Sequence, residues 1–329
     1  MPMSASRRAF LTHLAAAAAW PLAAHAQPAA PLFRPTRPVR IISPQQAGGS
    51  TDAVLRPLAQ RLSELWGQQV IVDNKPGGGS IIATQAVVQA PPDGHTLGLA
   101  INSLTINPSL RDDLPYDTLR DLTPVIQIGS TTVALVAHAS LGVATLDDFL
   151  ALVRARPGTV SWASLGVGTG GHITGELLGR RAGLRWVHVP FNGSSGAYRE
   201  LLPGRVQAGF VVLDSAVPHF EAGTLRLLAV TDPRRHSRYP DVPTLEERFP
   251  GTAYEGIFGL VAPPRLPPAL LKQLHADIAG LLATPEVREQ LQRQSMDVLA
   301  STPAEFGAAI AREIERWRAA VAESGAQVR

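Results

Sequence analysis

The run Gly166-Val167-Gly168-Thr169-Gly170-Gly171 has the glycine spacing G-x-G-x-x-G. It follows the apolar stretch Val160–Ala163 and opens the helical pattern Ile173–Ala182. A strand–turn–helix setting of this kind is where a dinucleotide's pyrophosphate binds. That chemistry also needs an acid for the ribose, about 20 residues further on. The next strand reads Trp186-Val187-His188-Val189-Pro190 and has none, so dinucleotide binding is disfavoured and no cofactor is expected. The same geometry has a simpler use, because free backbone N–H groups at a helix N-terminus bind anions. Such units occur at Gly48-Gly49-Ser50-Thr51 and at Gly168-Thr169-Gly170-Gly171. Facing each other across a cleft, they could hold a small dianion from both sides. Each loop alone reads equally well as a tight turn that needs glycine.

Other chemistry finds little support. There is no His-Glu-x-x-His, no phosphate loop ending in Gly-Lys-Ser/Thr and no Gly-x-Ser-x-Gly elbow. His172, His188 and His219 fit no metal-ligand spacing and read as capping or core residues, so no metal is expected. Asp112-Asp113 and Asp147-Asp148 fall in turns or helix starts, where acids serve the backbone. No cysteine is present, which excludes disulfides, thiol nucleophiles and thiolate metal sites. An enzyme using the same cleft, a hydrolase or an oxidoreductase, is the alternative reading, with no acid, base or nucleophile to nominate.

The elements that must position these loops alternate. Strand Val39–Ile42 precedes an amphipathic helix, Thr51–Trp66, with Val54, Leu55, Leu58, Leu62 and Leu65 on one stripe. Strand Gln69–Val72, a glycine loop and a helix Ile81–Gln89 that Ser80 could cap come next, then strand Thr96–Ala100. A second block begins with strands Val125–Ile128 and Val133–Ala137. Helix Leu146–Arg156 follows, and helices and strands alternate to Ile257–Val261, after which the chain is helical. The rhythm predicts an α/β fold of βαβ units with mostly parallel sheets. No linker separates the blocks, which predicts lobes joined by chain crossings. At 329 residues the length fits about two domains.

The sequence pI near 9.7 raises the question of nucleic acid. The net charge is only +3, from 30 basic and 27 acidic residues. Residues 1–26 read as an export signal: Ser6-Arg7-Arg8-Ala9-Phe10-Leu11 has a twin-arginine pattern, Leu14–Leu22 is apolar, and Ala24-His25-Ala26 is a cleavage site. Paired arginines also occur in ordinary secretory signals, so the export route stays open. Without these residues 28 basic groups face 27 acidic ones, and no basic run remains for nucleic acid. No segment approaches the ~20 apolar residues that span a bilayer. Residues 27–37 form a Pro-rich leader expected to be poorly ordered.

A series of motifs then carries a resemblance from Arg37 to about Arg318. It includes Gly48-Gly49-Ser50-Thr51-Asp52, Asn74-Lys75-Pro76-Gly77, Pro91-Pro92-Asp93-Gly94-His95-Thr96-Leu97, Asn107-Pro108-Ser109-Leu110 and Leu114-Pro115-Tyr116-Asp117. It continues through Trp162-Ala163-Ser164, Gly166-Val167-Gly168-Thr169, His188-Val189-Pro190-Phe191-Asn192-Gly193, Leu228-Ala229-Val230-Thr231, Asp241-Val242-Pro243-Thr244 and Phe258-Gly259-Leu260. In this order the chain resembles the Bug proteins, periplasmic solute-binding receptors of tripartite tricarboxylate transporters. The resemblance implies a two-lobed, venus-flytrap binding protein of the type II periplasmic class. Residues 38–138 with 259–329 would form one lobe and 139–258 the other.

The implied ligand is a small organic acid held between the lobes. The contact residues implied are Gln45, Gly48, Gly49, Ser50, Thr51, Asp52, Ser164, Gly168, Thr169, Gly170, His172, Phe191, Asn192, Gly193 and Asp214. Implied partners are membrane transport subunits or a sensor, with no membrane insertion, and a monomer is expected. Four departures from the family pattern bear on the ligand, the first of them suggesting a more polar or differently shaped one. Pro44-Gln45-Gln46-Ala47 replaces the common Pro-Phe-Pro-Pro, Gly170-Gly171 stands where hydroxyl residues are common, and Phe191-Asn192-Gly193 replaces Tyr-Lys-Gly. The acid common after Phe210 is Val211, while Asp214 stands three residues later as either a ligand contact or a helix N-cap.

Overall fold

The computed structural model describes residues 33–294 and 296–326. The expected signal at 1–26, and leader residues 27–32, lie outside the described residues. The first half runs β1 (Val39–Ser43), α1 (Ser50–Trp66), β2 (Val70–Asn74), α2 (Ile81–Val88), β3 (Thr96–Ala100), α3 (Ser103–Leu110) and β4 (Thr123–Thr131). The second runs β5 (Val133–His138), α4 (Leu146–Ala155), β6 (Ser161–Ser164), α5 (Gly170–Ala182), β7 (Val187–Pro190), α6 (Ser194–Leu201), β8 (Ala208–Val212), α7 (Leu213–Glu221), β9 (Leu225–Val230) and α8 (Leu245–Arg248). The chain finishes with β10 (Gly256–Ala262), α9 (Pro268–Leu282), α10 (Pro285–Gln292), β11 (Met296–Val298) and α11 (Pro303–Ser324). No described helix is long and apolar enough to cross a membrane.

Two sheets form, in the orders β11-β4-β10-β3-β1-β2 and β7-β6-β8-β5-β9. Each is mixed. The βαβ units supply the parallel pairs β1–β2, β1–β3, β6–β7 and β6–β8. Strands that arrive from the other lobe or the tail enter antiparallel, as β10 does between β3 and β4 and β5 does between β8 and β9. The passage between lobes falls at Thr132, not at the expected 138/139, because β5 pairs wholly within the second sheet. The return is complete by Gly256, ahead of the expected 259. Hydrogen bonds tie the two crossings together: Thr231 N–H to Val133 O at 2.9 Å, Tyr254 N–H to Thr231 O at 2.7 Å, and the Thr132 hydroxyl to Asp232.

Apolar clusters lie on both faces of each sheet. The α1 stripe buries Val54, Leu55, Leu58 and Leu62 as its period requires. At its end Trp66 takes the inward position, its indole N–H on Asp277 at 2.8 Å, and Leu65 is left exposed. Gly67, in the left-handed conformation, stops the helix. Phe33, in the leader, is anchored edge-on against Trp66 and His95 with centroids at 5.6 and 5.7 Å, so this end of the leader is ordered. The tail does not belong to one lobe. Along α11, Phe306, Ile310 and Ile314 pack in the first lobe and Trp317 and Val321 in the second.

Candidate functional site

The cleft between the lobes has an inner chamber of about 790 Å³, its open mouth included. Four helix N-termini reach it: Ser50 and Thr51 of α1, Asn102 and Ser103 at α3, Thr169 to Gly171 at α5, and Asp214 and Ser215 of α7. Phe210, Tyr254, Ile257 and Phe258 supply apolar walls. No Lys, Arg or His lines this chamber; Asp214 is its one charged lining residue among the described residues. Buried side-chain atoms of lining residues, among them Thr51 Oγ1 and Gln45 Oε1, have no hydrogen-bond partner among the described residues. Gln45, Ile101, Leu165 and Thr169 also line an adjoining outer chamber of about 700 Å³, together with the Gly77–Ser80 turn, Gly166-Val167, Phe191-Asn192 and Arg111.

The expected residues divide by position. Gln45, Ser50, Thr51, Thr169, Gly170 and Asp214 line the inner chamber, and Phe191 and Asn192 the outer one. Gly48, Gly49, Asp52, Ser164, Gly168, His172 and Gly193 line neither chamber. The first glycine loop spends its donors on other protein groups: Gly48 N–H reaches Asp52 Oδ2 at 2.9 Å and Ser50 N–H reaches Ser194 Oγ at 2.8 Å. Together with Gln46 N–H on Asn192 O at 2.8 Å, this loop latches one lobe to the other. Asp52 is held low by Asn74, Gly48 and Arg56, whose hydrogen bonds outweigh its burial. It is a brace under the loop. Asp214 is the second residue of α7, and Val212 occupies the N-cap position. Ser80 does stand at the N-cap position of α2, but with φ of 77° its hydroxyl makes no cap bond and instead shares a 2.6 Å hydrogen bond with Ser103.

The second glycine loop is built differently. Thr169 is the N-cap of α5: its hydroxyl accepts from His172 N–H at 3.4 Å and donates to Gly166 O at 2.7 Å. The N–H groups of Gly170 and Gly171 fall among the unpaired donors at a helix start, on the chamber wall. Gly170 must be glycine, because a Cβ there would meet the Tyr254 ring at 2.3 Å.

His172, Glu176 and His188 have ligand atoms within 4.8 Å of one another, a convergence their spacing does not reveal. The two imidazoles stack at 4.4 Å with 16° between planes. Their in-plane lone pairs therefore run side by side, and both rings already bond: His172 Nδ1 accepts Gly168 N–H at 3.1 Å and His188 Nε2 meets Ser164 Oγ at 2.7 Å. The pair fixes the loop from beneath. Burial lowers His172 to about 4, and burial with the neighbouring His172 lowers His188 to about 3.

A pH dependence follows. The folded values lie below the ordinary value near 6.5, so the unfolded chain binds these protons first. The stabilisation is complete above about pH 6.5 and is lost as pH falls toward the folded values. His172 alone should remove about 2 kcal/mol between pH 7 and pH 5. Urea midpoints at the two pH values should show this loss, and His172→Asn should reduce it, with the buried His188 retaining the rest. Equal midpoints in the unsubstituted protein would contradict the assignment.

Sequence reasoning missed the α3 start, Ser215 beside Asp214, Tyr254 and Arg111. Asn102 is fixed by hydrogen bonds to Glu255 O and Ile257 N–H, both at 3.0 Å, which only the fold brings near.

Comparison with known proteins agrees with this geometry. The family described as "Tripartite tricarboxylate transporter family receptor" matches residues 54–326. Protein BugT of Bordetella pertussis is 35% identical over 298 residues, 90% of this chain and 91% of that protein. The structure of R. palustris Rpa4515 with adipate superposes with a TM-score of 0.85 at 30% identity, covering 90% and 100% of the two chains. MatC from Rhodopseudomonas palustris with bound malate gives 0.81 at 28% identity, covering 87% and 99%. The matched family is one of receptors, which decides against the hydrolase or oxidoreductase reading. With two lobes around a cleft, and with the family match running through both, this chain belongs to the tripartite tricarboxylate transporter receptors, the Bug family of periplasmic solute-binding proteins.

Proposed function

We propose that this receptor captures a small organic acid in the inner chamber and presents it, as a monomer, to membrane transport subunits or to a sensor. The convergence of four helix N-termini on a chamber with no cationic lining residue carries the reading. Each helix end favours an anion by about 0.3–2 kcal/mol before specific hydrogen bonds. The adipate and malate held by the two solved relatives support a carboxylate. Delivery to the periplasm uses the signal read at 1–26, whose Arg7-Arg8 pair suits the twin-arginine route. A thermal-shift panel of mono-, di- and tricarboxylates tests the ligand class. A bound acid at 100 times its Kd should add about 2.7 kcal/mol of stability. No response to any organic acid would remove this reading.

A further inference from the structure

Arg111 directly follows α3 and is the one charged residue lining the outer chamber among the described residues. It is half-buried, its Nε is buried without a hydrogen-bond partner, and it forms no ion pair among the described residues. It also borders an outward hollow that contains Asp112 and Asp117, yet pairs with neither. A guanidinium carries five donors and keeps its charge. Held at a cavity wall with no acid bonded to it, it lacks the partner that a charge drawn from water needs.

The position is a seam between the lobes. Asn107, one turn earlier on α3, donates from Nδ2 to Gly79 O at 2.8 Å, and a Cβ on Gly168 would stand 2.9 Å from its Oδ1. A Cβ on Gly79 would meet Val167 O at 2.8 Å and Arg111 Nη2 at 3.8 Å. The end of α3 and the Gly77–Ser80 turn of the first lobe therefore lie directly on the 166–168 loop of the second. Gly77, Gly78 and Gly79, all at positive φ, bring backbone and no side chains to the outer chamber, which leaves room for a ligand group. The 166–168 loop leads into Thr169 and the chamber-wall N–H groups of Gly170 and Gly171. Thr169, with Gln45, Ile101 and Leu165, lines both chambers. A molecule with one carboxylate at the start of α5 can thus extend past Thr169 toward Arg111.

We infer that Arg111 sets the charge specificity of the receptor: it holds a second carboxylate of the ligand in the outer chamber, while the first meets the start of α5 in the inner one. The planar guanidinium fork matches a carboxylate with two parallel hydrogen bonds. Because Arg111 belongs to the first lobe and α5 to the second, such a ligand draws on both lobes at once. This rests on the carboxylate reading above and narrows it from organic acids in general to diacids long enough to pass Thr169.

Succinate, glutarate, adipate and pimelate, each against its monomethyl ester, test it by calorimetry. The half-ester keeps one carboxylate and the chain length but removes the charge from the far end. At the best-fitting length the diacid should bind at least about 10-fold tighter, a difference of about 1.4 kcal/mol. Arg111→Gln should erase that preference by weakening the diacid. A guanidinium that only braced α3 would weaken both ligands alike and leave their ratio where it was. Arg111→Met, which keeps the apolar stem, serves in the same way should the Gln variant not fold. Half-esters binding as tightly as their diacids, or an unchanged ratio in a folded Gln or Met variant, overturns the Arg111 assignment and leaves the carboxylate reading standing. Binding of none of these ligands overturns the Arg111 assignment. It overturns the carboxylate reading too only if the broader acid panel is also silent.

Discussion

Replacing Gly170 by valine should abolish ligand binding, lowering affinity by at least about 100-fold, some 2.7 kcal/mol. Gly170 opens α5 with its N–H on the chamber wall, and its Cα hydrogen faces the Tyr254 ring. A Cβ would stand 2.3 Å from a ring carbon, far inside contact distance. Tyr254 has little room to retreat: it is 4% exposed, packs edge-on against Trp317 at 5.3 Å, and its backbone N–H bonds Thr231 O. The clash must therefore be relieved by displacing the helix start, which moves the N–H groups that meet the ligand. Overpacking of this kind costs about 1–3 kcal/mol in stability, so the variant should fold with a lowered Tm. Calorimetry with whichever acid the panel identifies measures the loss. Affinity within about 3-fold of the unsubstituted protein, ~0.7 kcal/mol, would show that α5 does not hold the ligand.

Trp162→Ala should be the most damaging single change to the second lobe, at about 3–5 kcal/mol. The indole is fully buried on β6. It stacks on His188 at 4.3 Å and Trp186 at 4.8 Å, and meets Phe210 edge-on at 5.8 Å. From the other side α5 presents Gly175, where a Cβ would stand 2.2 Å from the ring, so the helix lies directly on the indole. Truncation leaves a cavity beneath the glycine loop and removes the platform under the His188–His172 stack. Chemical unfolding measures the cost, and a loss below about 1.5 kcal/mol would mean that the surroundings collapse to fill the space.

The legible part of this protein was local. The stripe on α1, the second glycine loop and the α/β alternation are short-range patterns, and each corresponds to an element in the structure. Two kinds of information were not local. Thr132 reads as one more residue between two strands, yet the chain changes lobes there, because strand partners and not strand sequence decide sheet membership. The first glycine loop has the composition of an anion cradle, but Ser194, 144 residues away, accepts its Ser50 N–H. Arg111 and Tyr254 escaped for a related reason: neither lies in a motif, and only the fold brings each to the cleft. Asp214 was legible as an anomaly. Its place on the chamber wall depends on how α7 is aimed.

The order of strands also sets a timetable. All five strands of the second sheet come from the continuous stretch between Val133 and Val230. The first sheet cannot be completed until β10 has been inserted between β3 and β4, after every strand of the second sheet has been made. A chain that appears N-terminus first therefore carries three parallel strands and β4 with a gap at the centre of their sheet, while the later lobe already has every strand it needs. Those open edges are the kind of surface that pairs wrongly or is held by chaperones. The lobe that begins first is the one that must wait, and it is sealed only when the returning chain arrives.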